Sequence, residues 1–298
     1  MRPDPYGIVS RVPLRLGRQT WDDDALLVMA ILNRTPDSFY DKGATFTDDA
    51  ALDAVARAVD EGADLVDIGG VKAGPGVAVD AVEEIRRVVP FVAAVRGRYP
   101  DLVISVDTWR ADVARACLAE GADVINDAWG GVDERLLEVA GAAGAAVVCT
   151  HAGGAEPRTR PHRIGYADVV ADVVATVTRL AEQAVAAGVP RQSVLIDPGH
   201  DFGKNTWHSL EVTRRLDELV ATGWPVLVSL SNKDFVGETL DRAVPERLTG
   251  TLATTAVSAW LGARVFRAHN VRETRETLDM VASIRGDRLP ARTRRGLA

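Results

Sequence analysis

The sequence predicts a (β/α)8 TIM barrel, an α/β fold of eight parallel strands ringed by helices. Three observations carry that expectation. Short apolar runs alternate with longer segments of helical period from about residue 26 to residue 285, which is the pattern of a parallel sheet with crossover helices. Eight such pairs in about 260 residues match the size of a barrel. A tripeptide also recurs, as Gly62-Ala63-Asp64, Gly121-Ala122-Asp123 and Gly262-Ala263-Arg264, each after a helix and before a strand. Glycine just past a helix end supplies the left-handed cap, so these read as three copies of one αβ corner. The same periodicity suits an open, doubly wound sheet, because period alone does not show closure.

Taken in order, the elements begin with Gly7 to Trp21, where alternating apolar residues flank Arg15-Leu16-Gly17-Arg18. This predicts an N-terminal β-hairpin that plugs the bottom of the barrel. Strands are expected at 27–33, 64–68, 102–107, 123–126, 145–150, 193–197, 225–230 and 263–267. Helical periodicity is strong over 49–61, 79–98, 111–120, 133–143, 168–187, 209–221, 245–261 and 272–284. The chain reads as one domain over 1–298, and residues 286–298 as a flexible basic tail, with Arg285 at its start.

Bulk properties narrow the function. With 298 residues, 47% of them apolar, the chain can bury a large core. A net charge of -7 argues against nucleic acid or an anionic membrane face as the partner, so a small molecule is expected. Cys117 and Cys149 lie far apart in a helical and a strand segment and read as core residues. No signal-type apolar region follows Met1, and Ala25 to Leu32 is too short to span a bilayer. A cytoplasmic protein is expected.

The informative residues are the polar ones that end the apolar runs: Asn33, Asp107, Asn126, Asp197, Lys233, and Arg267 with His269. In a parallel α/β sheet the carboxyl ends of strands are where ligands bind, so these ends describe one site. Asp197 reads either as a core acid capped by backbone amides or as a pocket carboxylate. In a pocket it accepts two adjacent hydrogen bonds, as from an amino-pyrimidine edge, and Asn126 offers a donor and an acceptor to the same edge. Arg267 and His269 share one face of an extended segment. They read as a salt-bridged strand end or as an anion site, since arginine grips phosphate oxygens in pairs. Asn33 is placed to ligate a phosphate-bound Mg²⁺ if the first and last strands are neighbours. His151, His162, His200 and His208 lack metal-ligand spacing, no P-loop is present, and Gly74-Pro75-Gly76 reads as a turn.

Several segments together resemble dihydropteroate synthase over essentially the whole chain. They are Ile31-Leu32-Asn33-Arg34-Thr35-Pro36-Asp37-Ser38-Phe39, Asp67-Ile68-Gly69-Gly70, Ser105-Val106-Asp107-Thr108, Ile125-Asn126-Asp127, Asp197-Pro198-Gly199, Phe202-Gly203-Lys204, Ser231-Asn232-Lys233 and Arg267-Ala268-His269. The resemblance implies a barrel that forms a homodimer and a reaction in which a dihydropterin loses pyrophosphate and is attacked by the amine of p-aminobenzoate. It implies that Asp107, Asn126, Asp197 and Lys233 hold the pterin, and that Asn33, Arg267 and His269 hold the diphosphate and Mg²⁺. Asp107, Lys233 and Asp37 would be the catalytic side chains, with the loop of Thr35 to Ser38 closing over the site.

The departures lie mostly on the acceptor's side. Where that family has Glu-Ser-Thr-Arg, this chain has Val71-Lys72-Ala73-Gly74, and where it has Ser-Arg-Lys-Ser, this chain has Ser231-Asn232-Lys233-Asp234. The last serine is the expected neighbour of the aminobenzoate carboxylate, and here it is an acid. Two like charges about 5 Å apart at an effective dielectric near 20 repel by roughly 3 kcal/mol, and a lost charge-assisted hydrogen bond costs about 1.5 to 3 kcal/mol. Either is worth tenfold or more. On the pterin side Asp201 and Ser229 replace glycines, Thr150 and Ala152 replace methionines, and Arg34 replaces a small apolar residue, so pterin binding should weaken too. The leading expectation is a synthase-like paralogue that keeps part of the pterin diphosphate pocket and has lost most or all condensation. A working synthase with compensating residues, and a pterin-binding protein or transferase with a neutral or cationic acceptor, are the other readings.

Overall fold

The structure is a computed structural model that describes residues 13–34, 48–159 and 165–295. Strands β1 (Leu14–Leu16) and β2 (Gln19–Trp21) pair antiparallel as the expected hairpin. The eight parallel strands follow: β3 (Leu27–Asn33), β4 (Leu65–Gly69), β5 (Val103–Asp107), β6 (Val124–Asp127), β7 (Ala146–Thr150), β8 (Val194–Asp197), β9 (Leu227–Ser229) and β10 (Val265–Ala268). Their order is β8-β7-β6-β5-β4-β3-β10-β9. First strand meets last in register, Leu27 with Val265 through Ala30 with Ala268. The remaining seam, β8 to β9, is joined by one bridge between Ile196 and Val226, so the ring is nearly closed and the open-sheet alternative falls away.

The strand period of two sorts the side chains into shells. Leu27, Met29, Leu65, Val103, Val124, Ala146, Val148, Leu195, Leu227 and Val265 point inward and form one apolar cluster with Leu14 and Leu16 of the hairpin. The hairpin therefore plugs the bottom of the barrel, as expected. Residues out of phase with these, such as Val28, Ile68, Ile104, Val147, Ile196 and Phe266, pack outward under the helices. Two residues above the inward apolar layer, on the same phase, stand Asp67, Ser105, Asn126, Asp197 and Arg267. The site is thus the third layer of the barrel interior.

The helices are α1 (Asp48–Asp60), α2 (Ala81–Arg98), α3 (Ala111–Ala119), α4 (Arg135–Ala143), α5 (Val169–Ala186), α6 (Thr206–Arg214), α7 (Leu216–Val220), α8 (Asp234–Leu240), α9 (Leu248–Trp260) and α10 (Val271–Arg285). Side-chain oxygens start several of them, satisfying otherwise orphaned amides. Asp80 caps α2, Asp168 caps α5, and Asn205 caps α6 in a reciprocal box with His208. The repeated corner is a working unit. Gly62, Gly121 and Gly262 have φ of +95, +97 and +106°. In the first two copies the following aspartate also reaches back to the preceding strand: Asp64 accepts from Val28 N–H at 2.7 Å and Asp123 from Ile104 N–H at 2.9 Å. An arginine, Arg275 or Arg96, pairs with each carboxylate.

Three expectations need correction. The helix over 209–221 is two helices, broken at Arg215, and the break lets Val212, Leu216 and Leu219 all reach the core. Helix α8 is absent from the sequence reading, because seven residues give too short a period to detect. Arg285 belongs to α10 rather than the tail: it donates to Ala259 O and pairs with Asp287, while Arg288 pairs back onto Asp279.

Candidate functional site

The polar layer is organised by Asp67, which the sequence reading quoted within Asp67-Ile68-Gly69-Gly70 without giving it a role. Its carboxylate is fully buried and accepts from Ser105 Oγ at 2.6 Å, Asn126 Nδ2 at 3.2 Å and Arg267 Nε at 2.6 Å. Arg267 donates from Nη2 to Asp107 at 3.0 Å, so one guanidinium bridges two carboxylates. Burial pushes the Asp107 carboxyl up to about 7, with Arg267 drawing it down and Asp67, Glu84 and Asp127 pushing it up. Burial works against the Arg267 charge, yet Asp67 and Asp107 hold it above the ordinary arginine value. Asn33, at the end of β3, and Asp107 flank Gly69 of β4. His269 lies against Ser231, whose Oγ is 3.0 Å from its Nδ1 and accepts its backbone N–H at 3.2 Å.

The other half of the site follows β8 and β9. Asp197 Oδ1 accepts from Gly199 N–H at 2.7 Å. Burial raises its carboxyl against the pull of that amide, Lys233, Lys204 and Arg267. Asp197 is thus a buried acid capped by a backbone amide, with cationic surroundings. Lys233 Nζ donates to His200 O at 2.9 Å and sits 4.4 Å from the centroid of the Phe202 ring. Burial lowers its ammonium, opposed by Asp201 and Asp197. Asp234, the acid expected to disturb the acceptor side, is paired with Arg247 at 3.0 Å. The bare repulsion expected from the sequence is thus largely compensated.

Lys204 is 6% exposed, and four acceptors surround its ammonium: His151 Nδ1 at 2.6 Å, His151 O at 3.2 Å, Gly199 O at 3.1 Å and Phe202 O at 3.0 Å. With Nδ1 accepting, the proton of the neutral His151 ring is on Nε2, 2.8 Å from Asp172 Oδ2 on α5. Burial brings Lys204 down to about 7, and burial with the Lys204 charge brings His151 down to about 4. This chain of groups fastens the loop after β8 to the end of β7. Its acid sensitivity follows. A histidine whose folded value lies below its free value contributes stability that is present above about pH 6.5 and lost as pH falls toward 4. Between pH 7.5 and 5 the chain is expected to lose about 2 kcal/mol through His151. Urea denaturation at both pH values, beside His151→Gln, checks it, since the variant should lose that part of the pH slope.

Arg34 is buried, with its guanidinium 4.8 Å from the centroid of the Phe91 ring on α2. Lys72 is partly buried in a segment tied down by other arginines, with Arg158 donating to Val77 O at 2.6 Å, Arg110 to Val79 O at 2.7 Å and Arg87 to Gly70 O at 3.0 Å. Trp109, Trp129 and Phe202 pack edge to face beside Ala152. Asp37, Thr35, Pro36, Ser38 and His162 lie outside the described residues. His200 and His208 stay structural, His200 at 3.0 Å from Thr213 Oγ1 and stacked on Phe235. Both cysteines are buried thiols, Cys117 pushed up to about 12 by burial and Cys149 pushed up as well. Among the described residues no helix is long and apolar enough to cross a membrane.

The comparisons with known proteins agree with this geometry. Residues 29–269 match the family model described as pterin binding enzyme. The chain is 62% identical to the Mycobacterium leprae protein named inactive dihydropteroate synthase 2, over 92% of this chain and 96% of that one. It is 38% identical to the Haemophilus influenzae dihydropteroate synthase, over 84% and 91%. The solved Yersinia pestis dihydropteroate synthase with a sulfonamide drug superposes with a TM-score of 0.87 at 36% identity, covering 93% of this chain and all of that one. A barrel whose strand ends gather these polar groups in this order, with matches across nearly its whole length, belongs to the pterin-binding enzyme family of the dihydropteroate synthases.

Proposed function

We propose that this chain is a dihydropteroate-synthase-like protein that binds a pterin diphosphate and does not condense it, or does so very weakly, with p-aminobenzoate. The observation that carries the reading is the contrast between the two sides of the mouth. On one side Asp67, Asp107, Asn126 and Arg267 form one hydrogen-bonded layer, with Asp197 and Lys233 beside it. On the other, the Val71-Lys72-Ala73-Gly74 segment offers neither threonine nor arginine, and Asp234 stands where a hydroxyl is expected. The name of the Mycobacterium leprae relative supports the same reading.

In this reading Asp107, Asn126 and Asp197 hold the amino-pyrimidine edge and Lys233 a ring carbonyl. Arg267 and His269 hold the diphosphate. A guanidinium has five N–H donors, more than its contacts to Asp67 and Asp107 use. Mg²⁺ fits as a phosphate-borne ion: Asn33 supplies a hard oxygen beside Asp107, and diphosphate and water supply the rest. Bound there, the ion would neutralise charge on the leaving pyrophosphate. Asp107, Lys233 and Asp37 are the residues that would assist a residual reaction. The deciding experiment is rescue of a synthase-deficient bacterium without external folate: failure supports the reading, and growth at wild-type rate overturns it.

The resemblance also carries a cytoplasmic location and a homodimer. Val257 and Trp260 on α9 and Met280 and Ile284 on α10, two adjacent helices, are all about half exposed or more, an apolar stripe that a second copy would cover. Light scattering should give twice 31.9 kDa, and Trp260→Asp should shift it toward the monomer.

A further inference from the structure

Asp201, which the sequence placed on the pterin side, is tied to the backbone of Asp234 on the acceptor side, and the two acids have different side-chain partners. Asp234 turns its carboxylate to Arg247, which also donates to Asn232 O at 2.8 Å. Asp201 reaches across from the loop after β8 to the segment after β9. Its carboxylate accepts from Asp234 N–H at 2.6 Å and from Phe235 N–H at 3.3 Å. Ser209 holds it from behind, its Oγ 3.3 Å from Oδ1 while receiving the Asp201 N–H at 3.2 Å. Burial raises the Asp201 carboxyl, while the Lys233 charge and the two amides draw it down. The backbone at Asp201 is left-handed, φ +66°, a conformation that glycine adopts freely.

We propose that Asp201 is the specificity-determining residue of the acceptor end. It is a built-in carboxylate that takes the amide donors and the lysine field an incoming carboxylate would need, so the site rejects anionic aromatic amines and admits neutral ones. Asp234 has no such effect, because Arg247 already balances it. The proposal rests on the pterin-side reading above only for where the acceptor lies. An acceptor carboxylate would meet spent donors and a like charge a few ångströms away, a discrimination of about tenfold or more.

The test compares p-aminobenzoate with p-aminobenzamide, which differ in charge and little in shape, by calorimetry with and without pterin and pyrophosphate. The wild-type chain should bind the amide about tenfold or more better than the acid. Asp201→Gly, which suits the left-handed backbone, should move that ratio at least about tenfold toward the acid, and Asp201→Asn should move it the same way by less. Asp234→Ser should move it less than about threefold. An unchanged ratio in both folded Asp201 variants overturns the proposal. So does a larger shift in Asp234→Ser, or no binding of either compound by any variant. Loss of pterin binding alone, with the ratio moving as stated, counts against the pterin reading and not against Asp201.

Discussion

Arg267→Met is expected to destabilise the chain by about 3–5 kcal/mol at pH 8, the largest effect of any single substitution in the polar layer. The guanidinium is the cation that contacts both Asp67, buried completely, and Asp107. Without it two carboxylates share one desolvated layer with Ser105 and Asn126 as neutral partners. The chain has one escape, which is to take up a proton. Asp107 is already held at about 7 by burial, and loss of Arg267 removes the group that draws it down. A carboxyl raised in the folded state stabilises at low pH and loses that contribution as pH rises through its folded value. The variant should therefore be less destabilised at pH 6 than at pH 8, and Asp107→Asn added to it should recover part of the loss. Urea denaturation of the three proteins at both pH values measures this. A loss under about 1 kcal/mol at pH 8 would mean the fork is ornamental to folding.

Lys204→Met should cost about 3 kcal/mol and loosen the loop that follows Asp197 and carries Gly199 and His200. Two effects compete. Methionine spares the cost of burying an ammonium, which is what brings Lys204 down to about 7. Against that, the substitution takes the donor from His151 Nδ1 and from the carbonyl oxygens of His151 and Phe202, while Gly199 O keeps the Phe202 N–H at 3.0 Å. Each buried polar atom left unpaired costs about 1–3 kcal/mol, so the hydrogen bonds win. Amide exchange should speed up across residues 199–204, and pterin affinity should fall because Asp197 ends the strand from which that loop starts. Unchanged exchange there would show that the loop is held by Gly199 and Tyr166, whose hydroxyl donates to Gly203 O at 2.6 Å, rather than by the lysine.

The fold was legible because its signals are local and repeated. Eight apolar runs, eight helical periods and the glycine corner each depend on neighbours in sequence, and each appears close to where expected, the period over 209–221 being split into two helices. Of the site, the strand-end residues were legible because polarity at the end of a buried run has no packing explanation. Asp67 was hidden for the converse reason. It lies in mid-strand between Val66 and Ile68, and only the barrel's inward phase, two residues above Leu65, shows that it faces Arg267 across 200 residues. A charged residue in phase with buried apolar ones was the available signal.

Other partners are invisible to pattern because they come from loops. That Arg247 neutralises Asp234, thirteen residues apart, depends on how α8 and α9 meet. That Arg34 stacks on Phe91 depends on where α2 crosses β3. That Asp201 takes the Asp234 amide depends on two loops meeting above β8 and β9. The sequence reading therefore identified residues that depart from the family's pattern, and the structure shows how they accommodate one another.

The most direct measurement is steady-state formation of dihydropteroate from the pterin diphosphate and p-aminobenzoate with Mg²⁺, with calorimetric binding of the pterin diphosphate alone measured beside it. The account predicts measurable pterin diphosphate binding and little or no product. Product at a rate typical of enzymes, above about 1 per second, would contradict it.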